Sequence, residues 1–272
     1  MTELVLDKVS YRYPGGTLAL DSIELEIAPG ERVALVGQNG SGKTTLARHL
    51  NGLLRPTSGR VLHDGLNVAL RSVAQLARAV GLVFQDPDRQ IFAGSVRAEV
   101  EFGPRNLGIH GPDLQAAVDE ALAAVGLEAE GRTNPYDLGP SRRKLLALAS
   151  VQAMRTPVLV LDEPTTGQDL RGVAIVRRAV DEAHATGRTV IAISHDMAFV
   201  ADAFDRVVVM REGRVILDGS PGSVFGEPSW EALRTTYLEP PLPAVIGARL
   251  GLGATPTDAT LVAALSSARR RR

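Results

Sequence analysis

The chain has 272 residues, 44% of them hydrophobic and 22% charged, with a formal net charge of -1 and no cysteine. This is enough for one large or two modest globular domains. It excludes disulfides and thiolate metal sites, and it argues against nucleic-acid binding driven by overall charge. No apolar run approaches the roughly 20 residues of a membrane-spanning helix, and the N-terminus lacks a basic-then-apolar signal segment. Any membrane role is therefore expected to run through a partner.

Leu4–Leu6 and Leu18–Ile27 alternate apolar and polar residues on either side of Tyr13-Pro14-Gly15-Gly16, the pattern of half-buried antiparallel strands joined at a turn. Tyr11 and Tyr13 read either as sheet aromatics or as rings on which a purine could stack. Arg32–Val36 is a short apolar run suited to a buried strand, and Thr44–Asn51 reads as a helix. Between them, Gly37-Gln38-Asn39-Gly40-Ser41-Gly42-Lys43-Thr44 fits the G-x-x-x-x-G-K-[ST] phosphate-binding loop. There a strand feeds a glycine-rich turn whose backbone N–H groups cradle phosphates at a helix N-terminus. Gly37, Asn39, Gly40, Ser41, Gly42, Lys43, Thr44 and the following Thr45 are the candidate nucleotide-binding residues. Lys43 is placed to reach the β- and γ-phosphates, and Thr44 to offer a hydroxyl to Mg²⁺.

Residues 60–67 read as a hairpin centred on Asp64-Gly65, with His63 expected at the surface rather than as a ligand. Val73–Val80 has helical spacing, and Gly81–Phe84 is a second buried strand that delivers Gln85 at its end. Residues 86–95 read as a loop. From about 96 to 155 helical spacing dominates, with helices expected over Val96–Phe102, Pro112–Val125 and Ser141–Met154. Val158–Leu161 is an apolar strand ending in Asp162-Glu163. Acids at the carboxyl end of a buried parallel strand sit at the edge where such sheets bind ligands. Asp162 is a candidate for the Mg²⁺ shell, and Glu163 for polarising a water that attacks the γ-phosphate. A helix over Arg171–Thr186 precedes the strand Thr189–Ile193, which ends at Ser194-His195-Asp196. His195 repeats the position of Glu163 and reads as a phosphate contact rather than a structural histidine.

Arg206–Met210 and Arg214–Leu217, joined at Glu212-Gly213, read as a closing hairpin. Glu239–Pro243 reads as a stiff linker. An amphipathic helix over Thr257–Ala268 carries an apolar face of Leu261, Val262 and Leu265, suited to packing on this chain or on a second copy. The basic run Arg269–Arg272 reads as a solvated end, with an anionic-lipid contact as the alternative.

The phosphate loop, Gln85, LVLDEP (159–164), Asp169 and ISHD (193–196) stand in one order along the chain. On these motifs the chain resembles the ATP-binding-cassette (ABC) ATPases over residues 1 to about 235. FQDPDRQIF (84–92), DEPTTGQD (162–169) and a short C-terminal extension are similar to the ATPase subunits of energy-coupling-factor importers, which take up vitamins or cobalt and nickel ions. The resemblance implies an ABC-type P-loop NTPase: a RecA-like parallel α/β core with an antiparallel β-layer and a helical insertion over about 96–155. An extension over 236–272, a linker plus an amphipathic helix, would follow. It further implies ATP and Mg²⁺ as ligands, with adenine stacked on Tyr13, Thr44 and Asp162 at the metal, and Gln85 relaying between Mg²⁺ and water. Glu163 would be the general base and His195 would contact the γ-phosphate. The implied partners are a second ABC ATPase in a head-to-tail dimer, an integral transmembrane subunit and a substrate-binding membrane subunit, docked near residues 85–95. The chain would thus lie peripherally at the cytoplasmic face of the cell membrane, with no nucleic acid bound.

One motif departs from the family pattern. Where LSGGQ is usual, this chain has Leu138-Gly139-Pro140-Ser141-Arg142, in which Pro140 removes an N–H donor and Ser141 falls two places late. Either Ser141 and Arg142 rebuild the contact to a partner's γ-phosphate, or the chain contributes a weak signature to an asymmetric pair, and the heterodimer is favoured over a homodimer. Other functions remain open at this stage: an ABC exporter subunit, a non-transport ABC ATPase, or a regulatory ATP-binding module. Long coiled-coil insertions and a second cassette, which mark the DNA-repair and ribosomal forms, are missing from this sequence.

Overall fold

A computed structural model describes residues 2–270. In chain order it has β1 (Leu4–Arg12), β2 (Leu18–Ile27), β3 (Arg32–Val36), α1 (Lys43–Leu50), β4 (Ser58–His63), β5 (Leu66–Asn67), the single turn α2 (Val73–Leu76) and β6 (Val80–Val83). Three helices without an intervening strand come next: α3 (Val96–Asn106), α4 (Gly111–Val125) and α5 (Pro140–Gln152). The chain then returns to strands with β7 (Val158–Asp162), α6 (Leu170–Ala185), β8 (Thr189–Ile193), α7 (Met197–Ala203), β9 (Arg206–Arg211) and β10 (Arg214–Gly219). It closes with α8 (Pro221–Val224), α9 (Trp230–Arg234), α10 (Leu242–Arg249) and α11 (Asp258–Arg270).

Two sheets form. One is antiparallel, in the order β2-β1-β4-β5, and the other runs β10-β9-β3-β8-β7-β6. In the second sheet β6, β7, β8, β3 and β9 are mutually parallel, and β10 pairs antiparallel at the edge. Its strands read as continuous apolar runs because both of their faces are covered. Ala34, Val36, Leu159, Leu161, Val190 and Ala192 face a cluster shared with α3 to α7. The alternate residues Val33, Leu35, Val158, Val160, Ile191 and Ile193 face the antiparallel layer and α1. This two-sided burial fixes the register of each strand, since a slip by one residue would exchange the two cores.

Several expectations are corrected. The span 73–80 is not one helix: a capping box between Ser72 and Gln75 starts α2, which ends at Leu76, and Val80 already belongs to β6. Helix α3 runs past Phe102 through Pro104, and Gly103 lets Met154 pack so closely that a Cβ there would lie 2.6 Å from its side chain. His63 is buried rather than at the surface, because β4 ends opposite Leu4 and turns its ring toward the Leu50 backbone at the end of α1. The stiff linker is shorter than expected, since α10 begins at Leu242. Of the apolar face expected on α11, Leu261 is buried whereas Val262 and Leu265 are 62% and 42% exposed. Leu238 and Ala244 join the cluster beneath the parallel sheet, so the chain beyond 235 packs onto that same core. In the basic run, Arg269 and Arg270 end α11, and Arg271 and Arg272 lie outside the described residues.

Candidate active site

The carboxyl ends of β3, β8, β7 and β6 lie side by side, so the segments that leave them open onto one edge of the sheet. The phosphate loop leaves β3, Ser194-His195 leaves β8, Asp162 ends β7 with Glu163 next, and Gln85 stands two residues past β6. Gln85, Asp162, Glu163 and His195 line a cleft of about 520 Å³ together with Tyr13, Asn39, Gly40, Ser41, Gly42, Lys43, Thr44 and Thr45. Strand order has thus gathered side chains that lie more than a hundred residues apart in sequence, at the edge where parallel sheets hold ligands.

The loop is shaped by two glycines in different ways. Gly37, at φ 149°, presses against β9, and a Cβ there would lie 2.1 Å from the Met210 carbonyl. Gly40, at φ 79°, needs glycine for its left-handed backbone rather than for space, since a Cβ there would meet nothing within 4 Å. Lys43 Nζ donates to the Gly37 carbonyl at 2.6 Å and to the Gln38 carbonyl at 2.9 Å. Burial lowers its pKa against the opposing pull of Glu163 and Asp162. A buried ammonium bonded to neutral loop carbonyls is a ready partner for phosphate oxygens.

Thr44 Oγ1 donates to Asp162 Oδ2 at 3.0 Å. Burial raises the Asp162 pKa, opposed by that bond and by Arg48, Lys43 and Lys144. A hydroxyl and a carboxylate side by side are hard oxygen donors suited to Mg²⁺, which commonly takes few protein ligands and completes its shell with phosphate and water. No group of three or more His, Cys, Asp or Glu arranged to hold a metal ion is found among the described residues. An all-protein metal cage therefore does not fit, whereas a nucleotide-bound Mg²⁺ at Thr44 and Asp162 does.

Glu163 is 5% exposed and takes a left-handed backbone with φ 51°, a conformation that disfavours any residue with a Cβ and often marks functional sites. Its Oε2 accepts from Thr166 Oγ1 at 3.1 Å. His195 Nε2 stands 3.1 Å from Oε1, yet Oε1 has no well-aligned hydrogen bond and is buried. Burial raises the Glu163 pKa, and the nearby His195, Thr166 and Lys43 oppose it. The carboxylate is therefore more basic than an ordinary glutamate, as a general base should be, with Oε1 packed against His195.

Tyr13 lies beyond the end of β1, so it is not a sheet aromatic. Its hydroxyl shares a 3.0 Å hydrogen bond with Thr45 Oγ1 on α1. Tyr11, inside β1, meets it edge to face at 4.9 Å and meets the buried His49 at 4.9 Å on its other side. This ladder holds the Tyr13 ring beside the loop. Gln85 is exposed on the cleft wall, and its loop is held by Gln90, whose Oε1 accepts from Phe84 N at 3.1 Å and whose Nε2 donates to the Ala147 carbonyl at 2.9 Å.

Ser141 does not join the cleft. It sits at the start of α5, where its Oγ donates to Gln168 Oε1 at 2.7 Å. Asp169 caps α6 by accepting from Gly172 N at 2.7 Å. Sequence reasoning missed Thr166, Gln90, Gln168 and Lys144. Of these, Thr166, three residues past Glu163, could have been read from the turn it shares with that residue.

A profile of the ABC transporter family matches residues 20–166, more than half of the chain. The chain belongs to the ABC transporter ATP-binding family. An energy-coupling factor transporter ATP-binding protein of Methanocaldococcus jannaschii is 40% identical over 233 residues, 85% of this chain and 83% of that relative. A putative ABC transporter ATP-binding protein of Methanosarcina acetivorans is 43% identical over 241 residues, 89% of this chain but 39% of the relative. The chain spans about two fifths of the length of that protein and of two others like it. Among solved structures, cbiO1 from Clostridium perfringens, part of the ABC transporter complex cbiONQ, matches with a TM-score of 0.74 at 37% identity over 91% of this chain and 98% of that one. The α/β fold expected from the motifs is thus the fold of ABC ATPases, and energy-coupling-factor proteins are among the relatives matched along most of their length.

Proposed function

We propose that this chain is the ATP-binding and ATP-hydrolysing subunit of an energy-coupling-factor importer, driving uptake of a vitamin or a transition-metal ion. The observation that carries the reading is the convergence of a phosphate loop with Glu163 in one cleft, the carboxylate buried, made more basic by burial and set against His195. Uptake rather than export is supported by the likeness to energy-coupling-factor proteins over about four fifths of their length.

ATP would stack its base on Tyr13 and lay its phosphates along the N–H groups of Gly40 and Gly42, with Lys43 Nζ turning from the loop carbonyls to the β- and γ-oxygens. Thr44, Asp162 and Gln85 would hold Mg²⁺, which when bound neutralises charge on the phosphates. Glu163 Oε1 accepts a proton from the attacking water as its oxygen bonds to the γ-phosphorus. The bond from that phosphorus to the β–γ bridging oxygen breaks, and ADP leaves. His195, which lines the same cleft and stands 3.1 Å from Glu163, would contact the γ-phosphate.

The departing signature supports a pairing with a different ATPase. Pro140 lacks an N–H and Ser141 is engaged by Gln168, so this chain offers little to a partner's phosphate. Its own phosphate loop, Glu163 and His195 would serve a site completed by the other subunit. No helix among the described residues is long and apolar enough to cross a membrane. The chain would therefore sit at the cytoplasmic face, held by a transmembrane subunit and a substrate-binding membrane subunit docked near residues 85–95. In this reading residues 1–235 form the ATPase unit and 236–272 an extension of it.

Affinity capture of the tagged chain from gently solubilised host membranes, followed by mass spectrometry, tests the reading. The expected result is a second cassette ATPase with two integral membrane proteins. Recovery of the chain alone, or with ribosomes or DNA, would overturn the transport assignment.

A further inference from the structure

The turn that follows β7 carries Glu163 at its first position and continues through Gln168 without joining a helix or strand. Within the turn, Thr166 N lies 3.4 Å from the Glu163 carbonyl and Gln168 N donates to the Thr165 carbonyl at 3.1 Å. The turn is also gripped from outside by α5. Lys144 Nζ donates to the Thr166 carbonyl at 2.7 Å and lies 3.4 Å from the Glu163 carbonyl. One ammonium therefore closes both ends of the segment whose Thr166 hydroxyl holds Glu163 Oε2. One helical turn earlier, Ser141 and Gln168 exchange two bonds, Ser141 Oγ donating to Gln168 Oε1 at 2.7 Å and Gln168 Nε2 to the Ser141 carbonyl at 3.1 Å. Residues 141 and 144 share a helix face by their spacing of three.

We infer that Lys144 is a positioning residue for Glu163: by pinning the main chain of the 163–166 turn, its ammonium aims the carboxylate and ties it to the start of this chain's own α5. The inference rests on the reading of Glu163 as general base. It also gives the altered segment Leu138–Arg142 a function inside its own subunit, since the helix that begins there holds the turn beside the chain's own phosphate loop. The charged groups acting on Glu163 from the surrounding elements are His195 and Lys43, with Asp162 adjacent in sequence. Those acting on Lys144 are Glu163, Asp162 and Asp86.

The test is ATP turnover of the full chain, in the assembly in which it purifies, for Lys144→Met, Lys144→Arg, Glu163→Gln and the Lys144→Met/Glu163→Gln double variant. Lys144→Met is expected to lower kcat about 10- to 100-fold with KM for ATP within about twofold, and Lys144→Arg to restore most of the loss. In the Glu163→Gln background the same change should lower kcat no further, as required of a residue that acts through Glu163. An unchanged kcat in Lys144→Met, a loss that Lys144→Arg does not restore, or an equal loss in the Glu163→Gln background would each overturn the inference. Should Lys144→Met fail to fold, Lys144→Gln is read by its kcat and by its effect in the Glu163→Gln background. Absence of turnover in the wild type would instead sink the functional reading, whereas turnover lost in Glu163→Gln but kept in Lys144→Met would sink the positioning role alone.

Discussion

Asp162 and Glu163 are consecutive buried acids whose pKa values are raised chiefly by burial. A raised pKa means the folded chain holds these protons more tightly than the unfolded chain. The stability each acid contributes is therefore full below its ordinary carboxylate value and is lost as pH rises through the folded one. At neutral pH the ligand-free protein carries this cost in return for a basic carboxylate in the cleft. Glu163→Gln is accordingly expected to melt at a higher temperature than the wild type at pH 7.5, by about 2–4 °C for each ~1 kcal/mol of charge burial relieved, with the difference closing toward pH 4. Thermal melts without nucleotide check this, and a lower midpoint for the variant at pH 7.5 would contradict it. Tyr13 belongs to the same scale. Base–aromatic stacking contributes about 1–3 kcal/mol, so Tyr13→Ala should weaken ATP binding roughly 5- to 150-fold by calorimetry. Tyr13→Phe, which gives up the Thr45 bond but keeps the ring, should lose much less.

Among the elements, α1 and β4 each carry a fully buried histidine, His49 and His63. His49 Nδ1 lies 2.7 Å from the Thr45 carbonyl, while His49 Nε2 and both ring nitrogens of His63 have no partner. Burial lowers both pKa values. Their neutral forms are thus favoured in the fold, and stability is full above the ordinary histidine value near 6.5 and lost as pH falls, the opposite sign to the two acids. Each histidine should add up to about 1.4 kcal/mol of stability loss per pH unit below that value. Denaturant titrations between pH 7 and 5 should show the decline, and His63→Leu should flatten it. The elements differ in how openly the sequence announced them. β3, β7, β8 and β9 were plain because burial on both faces makes each a continuous apolar run. β1 was seen over three of its nine residues, since Lys8 at φ 50° and a register shift after Leu6 break the alternation. The end of α3 was hidden by Gly103-Pro104, and the start of α10 by the prolines around Leu242. In the cleft, the residues on strand ends and in the glycine loop were legible because local spacing carries their chemistry. Lys144 and Gln90 were not, because Lys144 reaches the Glu163 and Thr166 carbonyls and Gln90 the Ala147 carbonyl from distant parts of the chain, and no spacing marks such a bond.

For the whole molecule, sheet order gathers the candidate ATP-binding residues into one cleft of a single chain. The phosphate loop, base and histidine share a cleft, while Ser141 lies apart at the head of α5. With Pro140 in place of a donor, two copies of this chain should not close on ATP. Sedimentation of Glu163→Gln with ATP and Mg²⁺ is expected to show a monomer, and a dimer only when a second cassette ATPase is supplied. An ATP-dependent homodimer would contradict the asymmetric pairing. The central claim is that this cleft hydrolyses ATP with Glu163 as its base, and the most direct test is Mg²⁺-dependent ATP turnover of the assembled protein beside its Glu163→Gln variant, with ATP binding measured on both. The account predicts turnover in the wild type, a loss of about 10²- to 10⁴-fold in the variant, and ATP affinity that stays within a few-fold. Turnover that survives the substitution, or a wild-type complex that binds ATP and never cleaves it, would contradict it.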